Sequence, residues 1–184
     1  LLKLRKATIE SERVKTGILQ QSNRLNNILN AAQVGTWEWN VKTDAIEIND
    51  RYAEMLGYAK EELKPTTLQI WYKLIHPEDA GLSDELVKKC FDKEIEFYEM
   101  ECRMNHKDGH TIWIQDRGKV VAWTQDGKPL MMMGTHIDIT AKKNTELRLK
   151  NITDNIPGVV FRYMINNDGD DKLVQISKGA KEIW

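Results

Sequence analysis

Two Asp-Gly steps, Asp108-Gly109 and Asp126-Gly127, constrain this chain more than any other feature. Asp-Gly favours positive φ and is a strong short-range hairpin signal. The two steps divide Glu99 to Lys143 into three consecutive strands. On the first, Tyr98, Met100, Cys102 and Met104 alternate with Glu99, Glu101 and Arg103, the period-two pattern of a half-buried strand. Between the turns, Ile112-Trp113-Ile114 and Val120-Val121-Ala122-Trp123 are rich in β-branched and aromatic residues. The third strand runs from Pro129 to Ile139. At Asp138-Ile139-Thr140 the sequence turns polar and helical, and Thr140 suits an N-cap.

The upstream half has the same legibility. Val34 to Val41 reads as a strand with Trp37 and Trp39 on one face, Lys42-Thr43-Asp44 as its turn, and Ala45 to Ile48 as its return. Asn49-Asp50 starts a helix with Tyr52, Met55 and Leu56 on its apolar side, and Gly57 stops it. Lys60 to Ile75 reads as short helical turns with Leu63, Leu68, Trp71, Leu74 and Ile75 apolar. His76-Pro77-Glu78-Asp79 opens a longer helix, with proline at its first position and carboxylates at its positive end. Leu82, Leu86, Val87, Cys90 and Phe91 are expected on its buried face, and the strand Ile95 to Met104 follows.

These residues carry a resemblance. Glu101-Cys102-Arg103, Lys107-Asp108-Gly109, Trp113-Ile114, Arg117-Gly118, Asp126-Gly127-Lys128, Gly134-Thr135 and Asp138-Ile139-Thr140, with Lys143 beyond, stand in the order of the C-terminal PAC motif of a PAS domain. Gly35-Thr36-Trp37-Glu38-Trp39 and Leu56-Gly57-Tyr58 resemble its N-terminal half, so the likeness covers roughly Asn27 to Lys143. Cys102 departs from it, where many relatives carry an aromatic residue. The resemblance implies an α+β PAS fold: a five-stranded antiparallel sheet from segments 34–41, 45–48, 95–104, 110–123 and 129–139, flanked by helices, with the last strand beside the first.

Outside this domain, Leu1 to about Ala32 reads as one helix. Leu4, Ser11, Ile18 and Leu25 are spaced by seven, as are Ala7, Val14, Gln21 and Ile28, which gives a coiled-coil seam over about four heptads. It is expected to make a parallel homodimer through Leu4, Ala7, Val14, Ile18, Leu25 and Ile28; packing on its own domain is the alternative. Past Thr140 a second helix is expected to about Ile156. There the sequence repeats itself: Ile152 matches Ile28, Phe161 matches Trp37 and Tyr163 matches Trp39 at a constant offset. The expected organisation is a dimerising helix (1–31), a PAS domain (32–140), a linker helix (141–156) and the truncated start of a second PAS domain (157–184). That last piece is too short to bury a core alone. The chain opens on Leu1 rather than methionine, which suggests a piece of a longer protein.

The composition excludes several classes. Charged residues are 30% with a net charge of −1, so nothing suggests a nucleic-acid surface. No apolar run is long enough to span a membrane and no signal peptide is present, so a cytoplasmic location is expected, with an anchor elsewhere in the full-length protein left open. Cys90 and Cys102 are single, as in a reducing compartment. The sequence lacks a phosphate loop, a zinc-binding His-Glu-x-x-His, a nucleophile elbow and a CxxC pair, so neither a catalytic residue nor a metal site is expected. His106 and His110 are expected exposed beside a turn, His76 at a helix start, and His136 facing either way.

Trp37, Trp39, Met55, Trp71, Met131 and Met133 are the expected lining of a cavity between sheet and helices, where Met and Trp adapt to planar or apolar ligands. The alternative is that they fill the core. Covalent flavin is disfavoured because Cys90 does not stand in the light-sensing motif, and haem because the helix after Pro77 carries no histidine. A small-molecule ligand of unspecified identity remains open. By the resemblance, Asp138 and Thr140 couple the sheet to the exit helix, with Asp138 expected to pair with Arg117 or Arg103. The expected function is sensing or signal relay for an output domain in the same chain, such as a diguanylate cyclase, phosphodiesterase or histidine kinase. A ligand-free scaffold with a filled core is the second reading.

Overall fold

The computed structural model describes residues 2–155 and the strands Phe161–Met164 and Lys172–Ile176, with side chains for Glu10 and residues 12–153. The chain divides into two units, Leu1–Asp138 and Ile139–Trp184.

In the first unit, α1 (Leu2–Ala31) precedes β1 (Gly35–Asn40), β2 (Ala45–Ile48) and α2 (Asp50–Met55). A 3-10 turn (Lys60–Leu63), α3 (Leu68–Leu74) and α4 (Pro77–Phe91) follow, then β3 (Tyr98–Asn105), β4 (Thr111–Trp123) and β5 (Pro129–Asp138). The sheet is antiparallel in the order β2-β1-β5-β4-β3, so the last strand lies beside the first. Gly109 and Gly127 adopt φ of +86° and +78° in the two hairpin turns, conformations that strain other residues.

Helix ends follow local chemistry. Gln33, Gly57 and Lys93 sit at positive φ just past α1, α2 and α4. In each case a six-to-one bond closes the helix: Val34 to Leu29, Tyr58 to Ala53 and Glu94 to Lys89. Asn49 begins α2 and also ties it to β1. Its Oδ1 accepts from Tyr52 N and Thr36 N, both at 2.9 Å, and its Nδ2 donates to Val34 O at 3.0 Å.

The core lies between one sheet face and α2–α4. Met100, Cys102 and Met104 of β3 and Ile112 and Ile114 of β4 are buried there with Tyr52, Leu56 and Ile75. On α4, Leu82 is half exposed and Ser83 takes the inward place. Successive helical residues are about 100° apart, and the inward line runs through Ala80, Ser83, Val87 and Cys90, which turns Leu82 away.

The α1 seam does not pack on its own domain where side chains are described: Val14, Ile18, Leu25 and Ile28 are all more than half exposed. Leu4 and Ala7 lie outside those residues. Within the second unit, α5 spans Thr140–Asn155, with Thr140 as its first residue rather than the residue before it. β6 (Phe161–Met164) and β7 (Lys172–Ile176) form an antiparallel pair with Phe161 opposite Ile176. The corresponding pair in the first hairpin is Trp37 opposite Ile48, but the β6–β7 register shifts between Arg162 and Tyr163 whereas β1–β2 continues unbroken. The rest of the expected second repeat lies outside the described residues. No helix among the described residues is long and apolar enough to cross a membrane.

Candidate functional site

One cross-strand row organises the inner face of the sheet. Trp37 stands opposite Gly134, Gly134 opposite Gly118, and Gly118 opposite Tyr98. The two missing side chains make room for an indole. A Cβ on Gly134 would lie 2.3 Å from Trp37 Cζ2, and one on Gly118 would lie 2.5 Å from Cη2. Trp37 therefore lies flat across β5 and β4 and carries its N–H to the neighbouring row.

In that row Asp116 and His136 face each other from β4 and β5. Asp116 is 2% exposed. Its Oδ1 accepts from Trp37 Nε1 at 2.9 Å, and its Oδ2 from the Tyr98 hydroxyl at 3.0 Å. Tyr98 has one proton to give, so Ser83 Oγ, 3.0 Å from the same hydroxyl, donates to it. His136 Nε2 stands 3.1 Å from Asp116 Oδ2 but off the line of a hydrogen bond, which leaves that buried nitrogen unbonded. Its ring stacks on Tyr52, with centroids 4.5 Å apart. Burial pushes the Tyr52 and Tyr98 hydroxyls and the Cys102 thiol up, and the negative charge of Asp116 adds to each.

Beside these groups is a cavity of about 250 Å³. Trp37, Trp39, Tyr52 and Met132 line it with Asp116 and His136; Trp71 of α3 and Val87 and Phe91 of α4 close it opposite. Trp39 stacks on Phe91 at 5.7 Å and donates through Nε1 to Asp44 at 3.2 Å. Tyr72, Asp84 and Lys88 stand at its exposed rim. The Tyr72 hydroxyl bonds Asp84, which pushes it up to about 12.

α4 is held against the sheet by Arg103 of β3. Its guanidinium bonds Asp79 Oδ1 at 2.6 Å, Asp79 Oδ2 at 3.0 Å and Glu78 at 2.9 Å, and its backbone N–H also reaches Asp79. Those bonds hold the Asp79 carboxyl below the usual carboxylate range.

Of the residues expected to line a cavity, Trp37, Trp39 and Trp71 do so. Met55 is buried against Gly35 instead, since a Cβ on Gly35 would meet its Cε at 2.5 Å. Met131 and Met133 alternate away, and Met132 between them points inward, opposite Trp39. Three consecutive methionines give no alternation from which to choose the face. The groups missed were Asp116, Tyr98 and Tyr52. The signal for Asp116 was in the sequence: it has the same parity as the inward Ile112 and Ile114, so it is a charge at a core position.

Asp138 ends β5 and Thr140 begins α5. The two arginines expected near Asp138 have other partners: Arg103 is bound to α4, and Arg117 lies 3.6 Å from Glu99 and over the Phe97 ring. His76 caps α4, accepting from Glu78 N at 3.3 Å. His106 is largely buried rather than exposed: its ring lies over Gly57 and stacks on His110 at 4.2 Å. His106, Asp108 and His110 bring donor atoms within 4.8 Å of one another, a possible metal set among the described residues. The His106 Nδ1 already accepts the Asp108 backbone N–H at 3.2 Å, which makes the group a lock on the hairpin. Cys90 is buried on α4, and burial pushes its thiol up.

Comparison with known proteins gives a consistent set. A family profile described as "PAS fold" matches residues 45–136. The chain is 29% identical over 129 residues to the probable diguanylate cyclase DgcE of Escherichia coli K12, covering 70% of this chain and 11% of that protein. It is 38% identical over 76 residues to hybrid signal transduction histidine kinase A of Dictyostelium discoideum, covering 40% of this chain and 4% of that one. Among solved structures, a sensory box histidine kinase/response regulator from Burkholderia thailandensis superposes with a TM-score of 0.61 at 29% identity, covering 70% of this chain and 94% of that one. The N-terminal domain of a diguanylate cyclase with PAS/PAC sensor from Marinobacter aquaeolei gives 0.52 at 25% identity, covering 60% and 98%.

Proposed function

This chain belongs to the PAS family, and from that membership we propose that it is the sensory region of a longer signalling protein whose output is a diguanylate cyclase, a phosphodiesterase or a histidine kinase. The carrying observation is the cavity of about 250 Å³ that opens beside a hydrogen-bonded cluster joining β1, β4 and α4. A small molecule bound against Trp37 or Tyr98 bears directly on the bonds that fix those elements to one another. Ligand binding then favours one arrangement of sheet and helices over another, and the shift is as large as the difference in affinity for the two. Asp138 and Thr140 pass it on, because they stand where β5 gives way to α5 along the chain. α1 pairs two chains in parallel through its exposed heptad seam, and residues 157–184 begin a second domain of the same kind. The chain itself carries regulation rather than catalysis.

The test fills the cavity. Val87→Trp in the full-length protein is expected to lock output activity at one level, and native mass spectrometry of the unmodified chain is expected to show a retained small molecule that the variant lacks. If nothing is retained and Val87→Trp leaves regulation intact, the domain is a relay scaffold.

A further inference from the structure

We propose that the cavity takes an organic cation, an ammonium or amidinium on an aromatic or alkyl body, with its charge beside Asp116 and against the indole faces of Trp37 and Trp39. This rests on the reading of the cavity as a ligand site and adds the sign of the ligand's charge.

The inference starts from an imbalance. Asp116 is a buried carboxylate that accepts from Trp37 and Tyr98. Those donors are neutral and cancel no charge. Among the described residues its sole ion-pair partner is His136, whose Nε2 is near but not aligned for a hydrogen bond. Among the described residues no lysine or arginine pairs with Asp116. Among the described residues Lys88 is the one lysine or arginine of the lining, and its ammonium pairs with Asp92 on the solvent side of α4. Arg103 of β3 is bound to Asp79 and Glu78. The rim adds a further carboxylate, Asp84.

Most of the remaining lining is aromatic, with Ile46, Leu68, Val87 and Met132 between the rings. The faces of Trp, Tyr and Phe carry the negative lobe of a quadrupole and attract cations, most strongly where water is excluded. A buried carboxylate within an aromatic wall favours an ammonium over a neutral body of the same shape. It disfavours carboxylates and phosphates, which would meet Asp116 with like charge and no donor of opposite sign.

The test uses pairs matched in shape and differing in charge: 2-phenylethylamine with 2-phenylethanol, tryptamine with tryptophol, and choline with 3,3-dimethylbutanol. Each is titrated calorimetrically into the 184-residue chain at neutral pH, with phenylacetate as the anionic control. In at least one pair the cation is expected to bind about tenfold tighter or more, a ratio equivalent to about 1.4 kcal/mol. Asp116→Asn should reduce that ratio to about parity, and Trp39→Leu should weaken both members of the pair. If Asp116→Asn does not fold, the wild-type ratio decides. Neutral members binding equally well, or phenylacetate binding best, overturns the charge assignment and leaves the ligand site standing. A preference that survives Asp116→Asn also overturns it. Failure of every compound of either charge overturns both readings.

Discussion

Gly118→Ala tests the arrangement on which the cluster depends. The added methyl would lie 2.5 Å from Trp37 Cη2, 2.6 Å from Cζ2 and 2.9 Å from Met133 O. Carbon atoms rest at about 3.5–4.0 Å, so the indole must withdraw by about 1 Å. That lengthens the Trp37–Asp116 bond, now 2.9 Å, beyond hydrogen-bonding distance. A lost bond to a charged acceptor costs about 1.5–3 kcal/mol and overpacking about 1–3 kcal/mol. Replacing glycine in a strand returns about 0.5–1 kcal/mol. The net expectation is a destabilisation of about 2–4 kcal/mol in urea unfolding, with a shift of the Trp37 indole N–H resonance. The same substitution in a Trp37→Phe background meets a ring without those two carbons. There it should cost less than half as much, the remainder reflecting Met133 O. Equal costs in both backgrounds, or a Gly118→Ala protein as stable as the wild type, would refute the idea that glycine is required to seat the indole.

Asn49→Ala removes the cap of α2, a bond to Thr36 of β1 and a bond to Val34 just before it; about 2–4 kcal/mol should be lost in urea unfolding. Asp79 is held below its usual range by Arg103, so its stabilising share is present above the ordinary carboxylate pKa and is lost as pH falls through the lower folded value. Asp79→Asn should therefore lower stability at neutral pH and flatten the acid limb of a stability–pH curve; an unchanged limb would contradict the role of Arg103. Asp138→Ala, at an exposed position, should shift stability by only about 0–1 kcal/mol while uncoupling input from output in full-length activity assays. Deleting residues 1–24 removes most of the seam, and light scattering should then report monomer; a persistent dimer would place the interface elsewhere.

The elements were legible in the sequence because their signals are local. Asp108-Gly109 and Asp126-Gly127 need only their own backbone preferences to turn the chain. The alternation from Tyr98 to Met104 records which side of β3 is buried. Pro77, with Glu78 and Asp79, marks the start of α4 by chemistry confined to one helical turn. Where the local pattern was uniform, the reading failed. Met131-Met132-Met133 gives no phase, and the inward residue proved to be the middle one. Leu82 satisfies an apolar pattern but not the angular line set by Ser83 and Cys90.

What the sequence by itself determined is the succession of strands, turns and helices along the chain, since periodicity and turn chemistry act over a few residues; the fold family and the place of the last strand beside the first came from the resemblance to PAS domains. The tertiary structure decided the chemistry of the site. Trp37 and Asp116 are 79 positions apart and meet only because β5 comes between β1 and β4 with glycine at the crossing. A carboxylate in a strand sequence carries no mark of its future neighbours. Its burial, its donors and the aromatic walls around its charge come from contacts among β1, β4, β5 and α4, and those contacts exist only once the sheet is assembled and the helices close over it.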